Sequence, residues 1–210
     1  MRQHFEVQNA ARDQAIAQAR TLTRLCANTI RAIHRHEWQE AEAQLQGTRQ
    51  AAEQIRALLA DHPSLYHAGY TQDALKEFAE AHLVYALVQG SALPDPEALQ
   101  VPPSTYIGGL AEAATELRRH ILDLLRLDAQ ADAERLLDAM DAVYSLLITM
   151  DFPEAITDGL RRRTDAVRGV LERTRGDLTL SLRQQRLERA LHAVAGRLAG
   201  LEPTSDENPG

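Results

Sequence analysis

The chain predicts an all-α fold, and three observations carry that prediction. Alanine, leucine, glutamate, glutamine and arginine, all favourable in helices, fill its long tracts. Apolar residues recur every three or four positions, and no alternation of period two persists as a strand would need. Aromatic residues make up only 4% of the sequence. With 210 residues, 44% of them hydrophobic, there is material for one core, expected as a single helical domain over 1–200 followed by a polar tail at 201–210.

The elements follow in order. Ile16, Ala19, Leu22, Cys26, Ile30 and Ile33 form one buried stripe on a first helix from about 8 to 35, and a second helix runs from about 37 to 60. Pro63 and Gly69 in DHPSLYHAGY break the pattern. The third helix, from about 71 to 88 with Thr71 as its cap, is apolar nearly all round from Phe78 to Val88, which marks it as buried. The proline-dense QGSALPDPEALQVPPSTY reads as a connection with a short turn at PEAL. Beyond it, a fourth helix carries Tyr106, Leu110, Ala113, Leu117, Ile121 and Leu124, while Gly108, Gly109, Ala111 and Ala114 allow a neighbour to approach closely. AERLLDAMDAVYSLLITM makes a fifth helix that stops at Asp151 to Pro153. A sixth, from about 153 to 175, and a seventh, from about 178 to 198, are separated by Gly176 and Asp177.

A net charge of -7 argues against a surface wrapped on all sides by nucleic acid, yet leaves room for a local basic groove. No run approaches the roughly 18 apolar residues of a membrane span, and the first residues lack the layout of a secretory signal, so a cytoplasmic protein without membrane contact is expected. Cys26 is the single cysteine and reads as packing; it can close no disulfide within the chain. Nearly all the basic charge is arginine, with Lys76 the only lysine.

Two groups of acids stand out. Asp73, Glu77 and Glu80 share one side of the third helix, just where it turns apolar, and Glu112 and Glu116 share a face of the fourth with Arg119 and Asp123. Like charges at such spacing repel, and burial would require protonation, a basic partner or a divalent cation in compensation. Solvated acidic faces fit the same spacing. If the two helices pack face to face, four carboxylates converge, and an all-oxygen set suits Mg2+ or Mn2+ better than zinc, with water activation at a phosphodiester as the chemistry. A di-iron Glu-x-x-His motif is excluded, since Glu116 to His120 is one residue too long. On the first helix Arg20, Arg24, Arg31 and Arg35 lie within about 60° of one another, with His34 at the margin, and span about 22 Å. Such a row suits the phosphates of a single strand, and equally a solvated or salt-bridged face. His82 reads as a hydrogen-bonded core histidine.

The segments ANTIRAIHRHEWQEAE, KEFAEA, YIGGLAEAATELRRHIL and DFPEAITDGLRRRTDAVRGVLERTRGDLTLSLRQ, in this order, resemble a prokaryotic member of the translin family, TRAX-like, over about Arg12 to Arg189. The resemblance implies a seven-helix subunit that assembles with its own copies into a hollow, usually octameric shell handling short single-stranded RNA or DNA. Translin itself chiefly binds. TRAX carries a Glu-x-x-Glu-Ala motif and a further acid that hold a divalent metal for RNA cleavage. Here Glu77, Glu80 and Ala81 match that motif, Glu116 matches a later glutamate, and Glu112 stands where TRAX has an aspartate, adding one methylene of reach. The implied function is an Mg2+- or Mn2+-dependent endoribonuclease with Glu77, Glu80 and Glu112 catalytic and these three with Glu116 holding the metal. Arg20, Arg24, Arg31 and Arg35 are candidates for strand contact on spacing alone. The alternatives are a shell that binds single strands without cutting and an assembly scaffold. The arginine- and histidine-rich segment that translin places before its third helix is mostly absent from YHAGYTQDALKEF, so its nucleic-acid contacts are not carried over.

Overall fold

The computed structural model describes residues 1–199, and the polar tail expected at 201–210 lies outside them. Among the described residues the helices are α1 (Arg2–His34), α2 (Trp38–Leu58), α3 (Pro63–Tyr66), α4 (Gly69–Gln89), α5 (Pro96–Leu99), α6 (Pro103–Arg126), α7 (Gln130–Leu147), α8 (Glu154–Thr157) and α9 (Leu160–Ala199). Six are long, while α3, α5 and α8 are single turns at the breaks that proline imposes.

α4 occupies the middle. It packs against α1 and α2 on one side and against α6 on another, and α6 in turn packs against α7 and α9. That position explains its sequence: Leu75, Phe78, Leu83 and Val84 are all buried although they point in different directions around the helix. Leu22, Cys26 and Ile33 of α1 and Leu110, Leu117 and Ile121 of α6 complete the core. Each such side chain contributes about 1.5–3 kcal/mol by leaving water. α4 ends at Gly90 in the left-handed region, φ 67, a conformation that suits glycine. Arg135 of α7 donates to the carbonyls of Leu87 and Val88 at 3.0 and 2.9 Å, satisfying acceptors that the helix end leaves open.

Two boundaries differ from the sequence reading. α4 begins at Gly69, so Thr71 lies inside it and its hydroxyl donates to Leu65 O at 2.9 Å instead of capping. The expected break at Gly176 and Asp177 does not occur, and α9 runs unbroken for 40 residues. The cost of an interior glycine, about 1 kcal/mol, is outweighed by packing on either side of it. Thr174 and Leu178 are buried, and Arg118 of α6 reaches Thr174 Oγ1 at 3.1 Å and Asp177 Oδ2 at 2.7 Å. The chain turns instead at Asp158 and Gly159, φ 50 and 73, between α8 and α9. From 186 to 198 every residue of α9 is exposed. No helix among the described residues is long and apolar enough to cross a membrane.

Candidate metal centre

The site begins with a glycine. A Cβ at Gly109 on α6 would stand 2.9 Å from Ala79 Cβ, 2.9 Å from Lys76 O and 3.0 Å from Glu80 N, so only glycine lets α6 lie this close to α4. One turn beyond Gly109, Glu112 is thereby brought against Glu77 and Glu80. Carboxylate oxygens of all three lie within 4.8 Å of one another. Glu80 is buried at 9% exposure, and Glu77 and Glu112 are half-buried.

Burial pushes the Glu80 carboxyl up to about 8, with Glu77, Glu112 and Glu116 adding repulsion and Lys76 opposing them. Glu77 is also raised, again chiefly by burial. Cys26 of α1 lies against these acids, fully buried; its thiol is held protonated by burial first and then by Glu77 and Glu80, which makes it inert packing. Two cations border the cluster. Lys76 Nζ donates to Glu112 Oε1 at 2.6 Å, and Arg163 Nε lies 3.7 Å from the same oxygen. Arg163 reaches the site from the first turn of α9, where its guanidinium also donates to Asp158 O.

AfC3PO, in its complex with duplex RNA, superposes with a TM-score of 0.82 at 30% identity over 89% of this chain and 96% of that one. An uncharacterized protein of Methanocaldococcus jannaschii is 31% identical over 189 residues, 89% of this chain and 83% of the relative. The chain belongs to the translin family. A second C3PO structure, apo-NeC3PO, shares the fold with a TM-score of 0.79 at 17% identity, over 86% of this chain and 94% of that one. No family model matches the chain.

In this translin-family chain the donor set fits a small, hard divalent cation. Oxygens bound to one such ion at about 2.0–2.6 Å lie no more than about 4–5 Å apart, which the 4.8 Å separation meets. All three donors are carboxylates, without thiolate or imidazole among them. Glu80 supplies the electrostatic argument: an acid that burial and like charge keep protonated near neutrality is one that a cation would ionise.

Glu116 stands apart from the three. Its Oε1 pairs with His34 Nε2 at 2.5 Å, and this hydrogen bond holds its carboxyl below the usual range. Asp73 is exposed. Arg20, Arg24, Arg31 and Arg35 are all exposed, and by helical geometry they lie about 180° around α1 from Leu22, Cys26 and Thr29, the face turned toward the acids. His82 is the expected core histidine, 3.2 Å from Thr48 Oγ1, and burial lowers it to about 3. A cavity of about 610 Å³ lies elsewhere, between α7, α8 and the start of α9, lined by Leu147, Phe152 and Leu160.

The sequence reading missed Lys76, Arg163 and His34 as neighbours of the acids. For Lys76 a signal existed, since it precedes Glu80 by four residues and so shares its helix face. Arg163 and His34 come from other helices and left no local trace.

Proposed function

We propose that this chain is a divalent-metal-dependent endoribonuclease acting on short single-stranded RNA, and on single-stranded DNA where it is offered, within a homo-octameric cytoplasmic shell. The observation that carries the proposal is the convergence of Glu77, Glu80 and Glu112 from two helices onto one position. RNA as the ligand class is supported by the AfC3PO complex with duplex RNA, at 30% identity.

In this proposal Glu77, Glu80 and Glu112 hold Mg2+ or Mn2+, with Glu116 one turn away on α6. The ion, when bound, supplies an acidified water and a positive charge at the phosphoryl oxygen. The protein fixes the carboxylates before substrate arrives: Gly109 sets the spacing of the helices, and His34 restrains Glu116. A proton leaving the attacking water has carboxylate acceptors within the same cluster. The exposed row of Arg20, Arg24, Arg31 and Arg35 would hold strand phosphates outside this cleft.

A second reading, a shell that binds strands without cutting them, is favoured by one observation: the Lys76 ammonium already supplies Glu112 with a counter-charge. Fresh, tag-free protein incubated with labelled single-stranded and duplex RNA, with Mg2+ and then with chelator, separates the two. The nuclease reading expects chelator-sensitive cleavage and its loss in Glu80→Gln with fold and assembly retained. Equal turnover in Glu80→Gln removes the site as drawn, and binding without any cleavage favours the second reading.

A further inference from the structure

Lys76 and Arg163 are not needed to hold a cation; as positive charges they oppose it. Both side chains are largely withdrawn from water, at 15% and 16% exposure, and both converge on the single atom Glu112 Oε1, at 2.6 and 3.7 Å. The fold makes room for them. A Cβ at Gly108 would meet Lys76 Cγ and Cδ at 3.4 Å and Arg163 Cζ at 3.6 Å, so the two side chains cross the helix surface where α6 has no side chain. Lys76 is also the only lysine in an otherwise arginine-based chain. Its compact ammonium on a flexible stem can exchange one oxygen partner for another more freely than a planar guanidinium can.

While Glu112 is free of metal, it is the counter-ion of both cations. Once that carboxylate is committed to a divalent ion, Arg163 keeps Asp158 Oδ2 at 3.8 Å, but the Lys76 ammonium loses its one salt-bridge partner among the described residues, and an unpaired, largely buried charge is costly. The Lys76 ammonium and the Arg163 guanidinium then stand side by side at a carboxylate oxygen already engaged by the ion. A phosphodiester carries one negative charge and offers two non-bridging oxygens.

We propose that Lys76 and Arg163 form a phosphate subsite beside the metal centre, with Lys76 passing from Glu112 to a non-bridging oxygen of the RNA backbone when the cation binds. The inference rests on the metal-centre reading above. It assigns the two residues to substrate binding, and it explains why a cluster of acids keeps cations that weaken its hold on a metal.

The test compares wild type with Lys76→Met, Arg163→Met and Lys76→Arg. Mn2+ binding is followed by electron paramagnetic resonance, and binding of a fluorescein-labelled, cleavage-resistant 2′-O-methyl single strand by anisotropy, with and without Mn2+. Removing a positive charge a few ångströms from the ion should leave Mn2+ affinity unchanged or raise it by up to about 10-fold. The gain in strand affinity that Mn2+ confers on wild type should fall about 10-fold or more in each methionine variant, and Lys76→Arg should keep most of it. If Lys76→Met loses Mn2+ and strand affinity together, Lys76 merely props the carboxylates and the inference is overturned. If Mn2+ binds and strand affinity is unchanged in all variants, the inference alone fails. Wild type that binds no Mn2+ removes the metal-centre reading, and the inference with it.

Discussion

Glu80 concentrates the physics of the site in one carboxyl. Its pKa in the fold, about 8, lies above the ordinary value of 4.5, so it favours the folded state fully below about pH 4.5, and that contribution is lost as pH rises through about 8. The difference between the two values corresponds to on the order of 5 kcal/mol at most. His82 and His120 have the opposite sign. Burial lowers them to about 3 and about 4, so their contributions are intact above about 6.5 and decline as pH falls through those values. Comparing wild type with Glu80→Gln cancels the histidines. In metal-free buffer the variant's melting temperature should pull ahead of wild type progressively from pH 5 to pH 8, and Mn2+ at pH 8 should raise wild type far more than the variant. A difference that does not grow with pH would mean that the Glu80 carboxyl ionises in its ordinary range, with no burial penalty on its charge. The identity of this acid was legible in the spacing of Glu77 and Glu80 and in the family resemblance, but which of protonation, a basic partner or a cation compensates its burial was not. Burial of Glu80 depends on the close approach at Gly109, 29 positions away, and its repulsion on Glu112 and Glu116, and no window of local sequence contains them all.

At the scale of elements the close contact of α4 with α6 determines the site, and two glycines show how differently the same residue can act. Gly176 lies inside α9 with nothing within 4 Å of a would-be Cβ. Gly176→Ala should therefore stabilise the chain by about 0.5–1 kcal/mol through helix propensity alone. Gly109→Ala gains the same propensity, but its methyl would lie 2.9 Å from a backbone carbonyl and 3.0 Å from a backbone nitrogen, atoms that cannot swing aside. Overpacking of that kind costs about 1–3 kcal/mol, so the net effect should be destabilising, and Mn2+ binding should fall with it because Glu112 moves with α6 away from Glu77 and Glu80. Chemical denaturation and Mn2+ titration of both variants check this; a Gly109→Ala variant as stable and as metal-competent as wild type would show that the helices need not touch. The small residues at 108 and 109 announced a close approach in the sequence. The continuity of α9 was hidden because a glycine's local cost is visible in sequence, whereas Arg118 gripping Thr174 and Asp177 on either side of it is a contact between helices.

For the whole molecule the unresolved balance is at the end of α9. Residues 186 to 198 extend about 20 Å with every side chain exposed, and Leu180, Leu187, Leu191, Val194 and Leu198 are each more than half exposed. Their spacing of seven, four, three and four is the seam of a coiled coil, in which apolar residues meet a partner helix every half-heptad. A lone helix of this length gains too little from its own hydrogen bonds to be secure in water, and its stability in proteins comes from burying an apolar stripe. An octameric shell of the kind proposed above would supply such a partner, and it would also account for the arginine row that faces away from the acids of its own subunit, because a strand held there could be presented to another subunit's cleft. Leu187→Glu combined with Leu191→Glu should lower the mass measured by light scattering. The subunit's circular dichroism over the remaining helices should stay close to wild type, since neither side chain packs against the core. RNA cleavage per subunit should fall together with mass if strand holding and cutting lie on different copies. Cleavage that persists undiminished in the dissociated protein would place the whole pathway on one subunit and would require the strand to reach Glu77, Glu80 and Glu112 by a route that avoids the arginine face of α1.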